Sequence, residues 1–163
     1  MEGHITLRNA TPEDTQFLAL LYGDTRCREV NEWGWPPEQQ ELFLRMQFDA
    51  QCRSYRAAFP KATDSIVCLE GHAIGRILVD QDSSGKRLID IALLGEYRNR
   101  GIGSNLLRQM LQECKMQGRA LRLQALQGNP AIRLYQRLGF QQSSADPMYA
   151  QLQWLPSGHE ERV

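Results

Sequence analysis

One short run of residues constrains the fold of this chain most: Arg98-Asn99-Arg100-Gly101-Ile102-Gly103. It lies between an apolar segment typical of a strand, residues 88–94, and an amphipathic segment typical of a helix, residues 104–117. Unpaired backbone N–H groups and the positive end of the helix dipole favour an anion at such a helix N-terminus. Because Gly101 and Gly103 carry no Cβ, a ligand can approach the main chain closely. The run therefore predicts a pyrophosphate site where a strand leads into a helix.

Two commoner phosphate-binding loops do not fit this run. Leu106 stands where a dinucleotide fingerprint has its third glycine, and no Gly-Lys pair follows as in a P-loop. NAD and ATP are therefore not the expected ligands. Eight Lys or Arg side chains and one acid, Glu113, lie in residues 98–137, which suits a polyphosphate ligand. Individual members such as Arg108 and Lys115 fit the solvated face of a helix better.

The pattern Arg-x-x-Gly-x-Gly after a strand resembles the pyrophosphate loop of the GNAT superfamily of N-acetyltransferases, which bind acetyl-CoA. A second block, residues 129–140, resembles the later motif of the same superfamily. In that motif a helical tyrosine stands near the thioester sulfur and a Gly-Phe pair ends the helix. The two blocks follow the family's order, and the resemblance covers residues 66–154. It implies an acyltransferase that uses acetyl-CoA as cosubstrate, and no metal ion is expected.

The resemblance also implies the fold class. This is an α/β (α+β) fold with a GNAT-like mixed, mostly antiparallel sheet covered by helices, in the order β-α-α-β-β-β-α-β-α-β-β. Apolar periodicity and capping signals predict the first two helices over residues 12–22 and 36–55, with a loop from Cys27 to Trp35 between them. The length of 163 residues predicts a single domain, residues 1–155, followed by a frayed tail, residues 156–163.

Composition excludes several classes of protein. A hydrophobic content of 42% with 23% charged residues is typical of a soluble globular chain, and no apolar stretch is long enough for a membrane span. The first residues lack a signal-peptide pattern, so a cytoplasmic location is expected. The four cysteines have no metal-ligand spacing and suggest no acyl-enzyme. No aromatic stacking series accompanies the basic residues, so nucleic acid is not an expected partner. A homodimer remains an open alternative to a monomer.

The resemblance implies cofactor-binding roles by motif matching. The main chain of Ile91, Ala92 and Leu93 would pair with the pantetheine arm. The pyrophosphate would lie on the loop and the first helical turn, made of Arg98, Asn99, Arg100, Gly101, Ile102, Gly103 and Ser104. Asn129 is a further candidate, but it lies six residues before the helical tyrosine, whereas the commoner family spacing is seven. Its alternative role is that of a helix N-cap.

Tyr135 is the predicted general acid for the departing thiolate. Its position on an apolar helical stripe would otherwise indicate a core residue. The general base is less defined, because Leu123 and Gln124 stand where some relatives carry a glutamate. Asp90, in the donor strand, is a candidate base, with a solvent-facing strand residue as the alternative. A chain of water molecules is a further alternative to any side-chain base.

The acceptor is predicted to be a small, cationic primary amine. Residues 1–80 carry 8 basic and 12 acidic side chains, a net charge of −4, and residues 81–163 a net charge of +4. Glu29, Trp33 and Trp35, together with Glu32, could form an acidic and aromatic wall for an ammonium group. Glu32 is also a tentative base, and the tryptophans could instead anchor a loop. The predicted function is direct acetyl transfer to an amine of a small molecule or protein terminus; the alternative is a catalytically silent acyl-CoA-binding or sensor domain.

Overall fold

The computed structural model describes residues 3–156, which contain seven strands and four helices. In chain order these are β1 (Ile5–Asn9), α1 (Thr15–Asn31), α2 (Pro37–Ala58), β2 (Thr63–Leu69), β3 (His72–Asp82), β4 (Gly85–Leu93), α3 (Ile102–Gln117), β5 (Ala120–Leu126), α4 (Ala131–Arg137), β6 (Gln141–Ala145) and β7 (Tyr149–Trp154). The strands pair in the order β1-β2-β3-β4-β5-β7-β6. β4 and β5 are parallel, whereas β5 pairs antiparallel with β7. The predicted mixed sheet, its class and the order of its elements are confirmed.

The described residues fall into two compact units. One consists of those in Met1–Leu78 and Asp90–Arg100, and the other of those in Val79–Ile89 and Gly101–Val163. The prediction of a single domain over residues 1–155 stays a prediction. Of the tail that was expected to fray, residues 157–163 lie outside the described residues. No helix within residues 3–156 is long and apolar enough to cross a membrane.

In the first unit, a capping box precedes helix α1. Thr11 accepts a hydrogen bond from the Glu13 N–H, and the Asp14 carboxylate accepts one from the Thr11 N–H at 2.8 Å, which closes a capping box. The cluster of side chains buried beneath the two helices consists of Leu18, Leu21, Phe48, Ile66 and Cys68. These contacts hold α1 and α2 on strand β2.

The loop predicted from Cys27 onward is wrong in its first half, because α1 continues to Asn31. Val30 is fully buried and anchors the last turn. Arg26 and Glu29, three residues apart on the helix, form an ion pair at 2.8 Å. Burial of one apolar side chain and a local ion pair thus extend the helix beyond the point where its apolar stripe fades.

In the second unit, β4 begins at Gly85, three residues earlier than its apolar pattern indicates, and pairs there with Ala120 of β5. Gly85 has φ +142°, and a Cβ at this position would lie 2.6 Å from the Ala120 carbonyl oxygen. Only glycine permits that approach. Helix α3 buries Leu106, Leu107, Leu111 and Cys114, as its apolar stripe predicts.

Candidate functional site

The predicted pyrophosphate loop has the local geometry that an anion requires. Asn99 and Gly101 both adopt left-handed backbone conformations, with φ +62° and +84°. These two residues turn the chain sharply into α3, which begins at Ile102. No described side chain caps this helix, and its first turn contains no acidic residue. The N–H groups of Ile102, Gly103 and Ser104 therefore remain available to a ligand.

The side chain of Arg98 forms hydrogen bonds within the protein, and its role toward the pyrophosphate stays a prediction. Its Nε donates to the Leu93 carbonyl oxygen at 2.9 Å, and its Nη2 donates to Asp24 Oδ2 at 3.2 Å. The same Asp24 oxygen accepts the Gly95 N–H at 2.7 Å. The guanidinium of Arg98 thus ties the start of the loop to helix α1. No sequence pattern pointed to this role of Asp24, because it lies 74 residues from Arg98 and belongs to no motif.

Arg100 extends from the same loop but has no anionic partner in the described part of the chain. Its guanidinium lies over the Tyr97 ring, 5.4 Å from the centroid. Its side chain is exposed. Of the two loop arginines, Arg100 is therefore the one whose charge is available to a phosphate group.

The donor strand ends at Leu93, and a 3-10 turn, Gly95–Tyr97, connects it to this loop. Ile91, Ala92 and Leu93 form the last residues of β4. Their side chains are half-buried or buried, and the Leu94 N–H donates to the Ile74 carbonyl oxygen at 2.9 Å. Their role toward the pantetheine arm stays a prediction, because it depends on main-chain groups.

Asp90 is in a cluster that the sequence analysis missed. Its Oδ2 lies 3.8 Å from Arg76 Nη1, and Arg76 in turn donates two hydrogen bonds of 2.9 Å to Asp64. Burial raises the pKa of Asp90; the charge of Arg76 opposes this shift and that of Asp64 adds to it. Burial and the nearby Asp90 charge raise the pKa of Tyr55 to about 12, so its hydroxyl stays protonated. The sequence did contain a signal for Arg76, because it is a charged residue within the apolar part of strand β3.

Tyr135, the predicted general acid, lies on α4 in the second unit. Its side chain is buried, and its ring packs against Phe140 in an edge-on arrangement with centroids 5.7 Å apart. The Phe140 N–H donates to the Tyr135 carbonyl oxygen at 3.0 Å, which ends the helix at the Gly-Phe pair. The tyrosine is thus held rigidly on both its backbone and its ring.

Three further positions were considered in the sequence for cofactor binding or for the general base. Asn129 Oδ1 accepts the Ala131 N–H at 2.9 Å, so this side chain caps α4, which begins one residue later than predicted. Gln124 Oε1 accepts a hydrogen bond of 2.7 Å from Gln151, and Leu123 is buried. Neither position of β5 supplies a carboxylate.

The predicted acceptor wall is only partly assembled. Trp33 and Trp35 pack on each other and on Phe43, with ring centroids 5.1 to 5.4 Å apart. Glu29 is neutralised by its ion pair with Arg26. Glu32 is exposed and follows the last residue of α1. The aromatic rings therefore stabilise the connection between the first two helices, as the alternative interpretation of the tryptophans expects.

No group of three or more His, Cys, Asp or Glu side chains within residues 3–156 is placed to hold a metal ion.

The candidate residues of the first unit are the loop arginines, the donor strand and the cluster of Asp64, Arg76 and Asp90. Those of the second unit are the first turn of α3 and Tyr135.

Comparison with known proteins agrees with this arrangement. Residues 62–142, about half of the chain, match the acetyltransferase (GNAT) domain model. The L-amino acid N-acetyltransferase AaaT of Escherichia coli (strain K12) is 26% identical over 98 residues. The matched segment is 56% of this chain and 60% of that protein, so the chain covers less than two thirds of this relative.

Solved structures share the fold. The PaiA N-acetyltransferase of Thermoplasma acidophilum, in complex with coenzyme A, has a TM-score of 0.69 at 18% identity, covering 93% of this chain and 99% of that one. An acetyltransferase of Thermus thermophilus has a TM-score of 0.68 at 16% identity, covering 95% and 99%. These likenesses concern the fold, whereas the domain model matches the segment that contains the donor strand, the loop and the tyrosine helix. The chain belongs to the GNAT acetyltransferase family.

Proposed function

We propose that this protein is an N-acetyltransferase that moves the acetyl group of acetyl-CoA directly to a primary amine. The observation that carries the proposal is the open N-terminus of α3, where two left-handed residues and uncapped N–H groups follow β4 after one 3-10 turn. The residues fit the cosubstrate: the first-turn amides and Arg100 would hold its pyrophosphate, and the main chain of residues 91–93 its pantetheine arm. Acetyl-CoA supplies the activated thioester.

Tyr135 is proposed as the general acid that gives a proton to the departing thiolate. A phenol is a proton donor of suitable strength for this task. The packing of its ring against Phe140 supports the proposal, because a fixed donor loses little orientational freedom in the reaction.

Asp90 is proposed as the base that takes the proton of the acceptor amine, directly or through water. Burial raises the pKa of its carboxyl group, which makes the carboxylate a stronger base than an exposed aspartate. Asp90 also lies in β4, directly before the residues proposed to pair with the pantetheine arm. Glu32, the other candidate base, is exposed, and its proposed role is only to attract a cationic amine.

The acceptor is proposed to be a small molecule rather than a protein terminus. The E. coli relative is named as an L-amino acid N-acetyltransferase, which supports this class. The cytoplasmic location expected from the sequence remains part of the proposal.

A panel of amines incubated with acetyl-CoA, with free thiol measured and the acetylated product identified by mass, tests the proposal. Thiol release that depends on an amine supports it. The second candidate function, a silent acyl-CoA-binding domain, is favoured by the missing carboxylate on β5, where Gln124 bonds to Gln151. Tight binding of acetyl-CoA without thiol release for any amine would select that candidate instead.

A further inference from the structure

A cavity of about 530 Å³ lies within the first unit, and none of the residues given a role in the proposed function lines it. It is bounded by the start of α1, the second half of α2, and strands β2 and β3. Part of its wall is apolar, formed by Leu18, Phe48, Phe59 and Pro60. The charged side chains that line it are Asp49, Arg53, Arg56, Asp64 and Arg76. The cavity thus combines an apolar wall with a charged one.

The charges of the lining residues do not cancel. Asp64 accepts both of its hydrogen bonds from Arg76, and Asp49 lies 3.8 Å from Arg45. Both aspartates therefore already have cationic partners. Within residues 3–156, neither the Arg53 nor the Arg56 side chain forms an ion pair or hydrogen bond with another residue. The cavity consequently presents two uncompensated positive charges.

These two arginines are placed to act together. Arg53 and Arg56 are three residues apart on α2, so they project from the same helix face. A guanidinium group offers a planar fork of N–H donors that matches a carboxylate. A ligand that carries a carboxylate therefore matches this wall of the cavity.

Arg76 connects the lining of the cavity to Asp90 of β4. Arg76 is 7% exposed, and its Nη1 donates no hydrogen bond to a described residue. Because no fully buried side-chain nitrogen or oxygen among these residues lacks a partner, Nη1 keeps some exposed surface, and Arg76 is one of the residues that line the cavity. This nitrogen lies 3.8 Å from Asp90 Oδ2, and Asp90 is the proposed base. The cavity therefore shares Arg76 with the cluster that contains the proposed base.

We propose that this cavity is the acceptor pocket and that the acceptor is an amine carrying a carboxylate, as in an amino acid, with the carboxylate bound by Arg53 and Arg56. This inference rests on the proposed acetyl transfer. In that reaction an N–C bond forms as the C–S bond breaks; nitrogen loses one proton and sulfur gains one, so no further reactant is needed. The apolar wall of Phe48 and Phe59 favours an apolar side chain on the acceptor.

Matched pairs of substrates test the pocket: L-leucine with L-leucinamide, and L-phenylalanine with L-phenylalaninamide. The members of each pair differ only in the carboxylate. Because the amine of an amide is less basic, the decisive quantity is the change in the acid-to-amide ratio of kcat/KM between wild type and variant. In the double variant Arg53→Gln/Arg56→Gln we expect that ratio to fall by at least about tenfold, through a higher KM for the acids, because two charged hydrogen-bonding groups are lost.

Arg28→Gln is the matched control, since Arg28 is an exposed arginine of α1 outside the cavity. We expect its ratio to equal that of wild type. An unchanged ratio in the double variant overturns the pocket assignment, while continued acetylation of the amides leaves the proposed function intact. If no amine is acetylated, the proposed function fails, and calorimetric binding of L-leucine against L-leucinamide decides the pocket. Acid-selective binding lost in the double variant supports it, and equal binding contradicts it.

Discussion

At the scale of single residues, the two proposed proton carriers have contrasting surroundings. Tyr135 is buried in the second unit against an aromatic ring, where packing fixes its orientation. Asp90, in the first unit, is half-buried beside Arg76 and close to a second carboxylate. Ring packing therefore fixes the orientation of the proposed acid, whereas burial raises the pKa of the proposed base. Different substitutions separate these two contributions.

Removing only the hydroxyl of Tyr135, as in Tyr135→Phe, keeps the ring that packs against Phe140. We therefore expect folding and acetyl-CoA affinity to survive, while kcat falls by at least about tenfold, because general acid catalysis typically contributes about 10²–10⁴-fold. Steady-state kinetics at saturating acetyl-CoA measure this. The neighbouring change Gln136→Ala on the exposed helix side should leave kcat unchanged. Full activity in Tyr135→Phe would assign the ring to the core alone.

The environment of Asp90 predicts a pH dependence. Because burial raises its pKa, Asp90 becomes protonated, and loses its capacity as a base, at a higher pH than an aspartate of ordinary pKa near 3.8. We expect kcat/KM to fall as the pH decreases through this raised pKa. Asp90→Asn should remove this acidic limb and lower kcat by about 10²-fold or more. A variant that retains the same limb would show that another group, or water, serves as base.

At the scale of secondary-structure elements, helix α1 does more than cover the sheet. Its Asp24 accepts hydrogen bonds from the Gly95 N–H and from Arg98, and Arg98 is also bonded to the carbonyl oxygen of Leu93. The helix therefore fixes the segment between the donor strand and the pyrophosphate loop. Arg98 is part of this arrangement, and Arg100 is the arginine proposed to meet a phosphate.

Asp24→Asn keeps an oxygen that can accept the Gly95 N–H but removes the charge that holds Arg98. We expect acetyl-CoA affinity to fall by roughly threefold to tenfold, since one charge-assisted hydrogen bond is weakened. The value of kcat at saturating acetyl-CoA should change little, because no reacting group is touched. Calorimetric titration measures the affinity, with Glu41→Gln, an exposed acid of α2, as control. Unchanged affinity would mean that the loop keeps its shape without α1.

At the scale of the whole molecule, ligand binding should be visible as stability. A ligand present at about 100 times its Kd adds about 2.7 kcal/mol to the free energy of unfolding. For a chain of 163 residues this corresponds to an increase in Tm of roughly 5–10 °C. We expect this shift with acetyl-CoA, and much smaller shifts with NAD or ATP. Equal shifts with all three ligands would identify a general anion site.

Gly103→Val isolates the loop in the same measurement. Gly103 lies in the first turn of α3, where valine is compatible with the helix, but its side chain would crowd the N–H groups offered to the anion. We expect the protein to fold and the acetyl-CoA shift in Tm to disappear. A variant with an undiminished shift would contradict the assignment of this loop.

Short-range signals in the sequence were enough to predict most of the fold. Apolar periodicity identified α3, the Thr11-Pro12 pair marked the entry into α1, and the Gly101-Gly103 pair marked the phosphate loop. These signals are local because caps, turns and helix faces involve residues only a few positions apart. The end of α1 was wrong for the opposite reason, since Val30 is kept helical by burial that no local pattern encodes.

The sequence by itself therefore determined the order of elements and the family, and it predicted where the phosphate loop lies. Only the tertiary structure decided which charges meet. It brought Asp24 to Arg98 across 74 positions, and it placed Asp64 and Asp90 on one arginine, Arg76. It also opened a cavity lined by Arg53 and Arg56, whose charges no described residue compensates. Ion pairs and cavities depend on which faces of distant elements pack together, and chain folding sets that packing rather than spacing along the sequence.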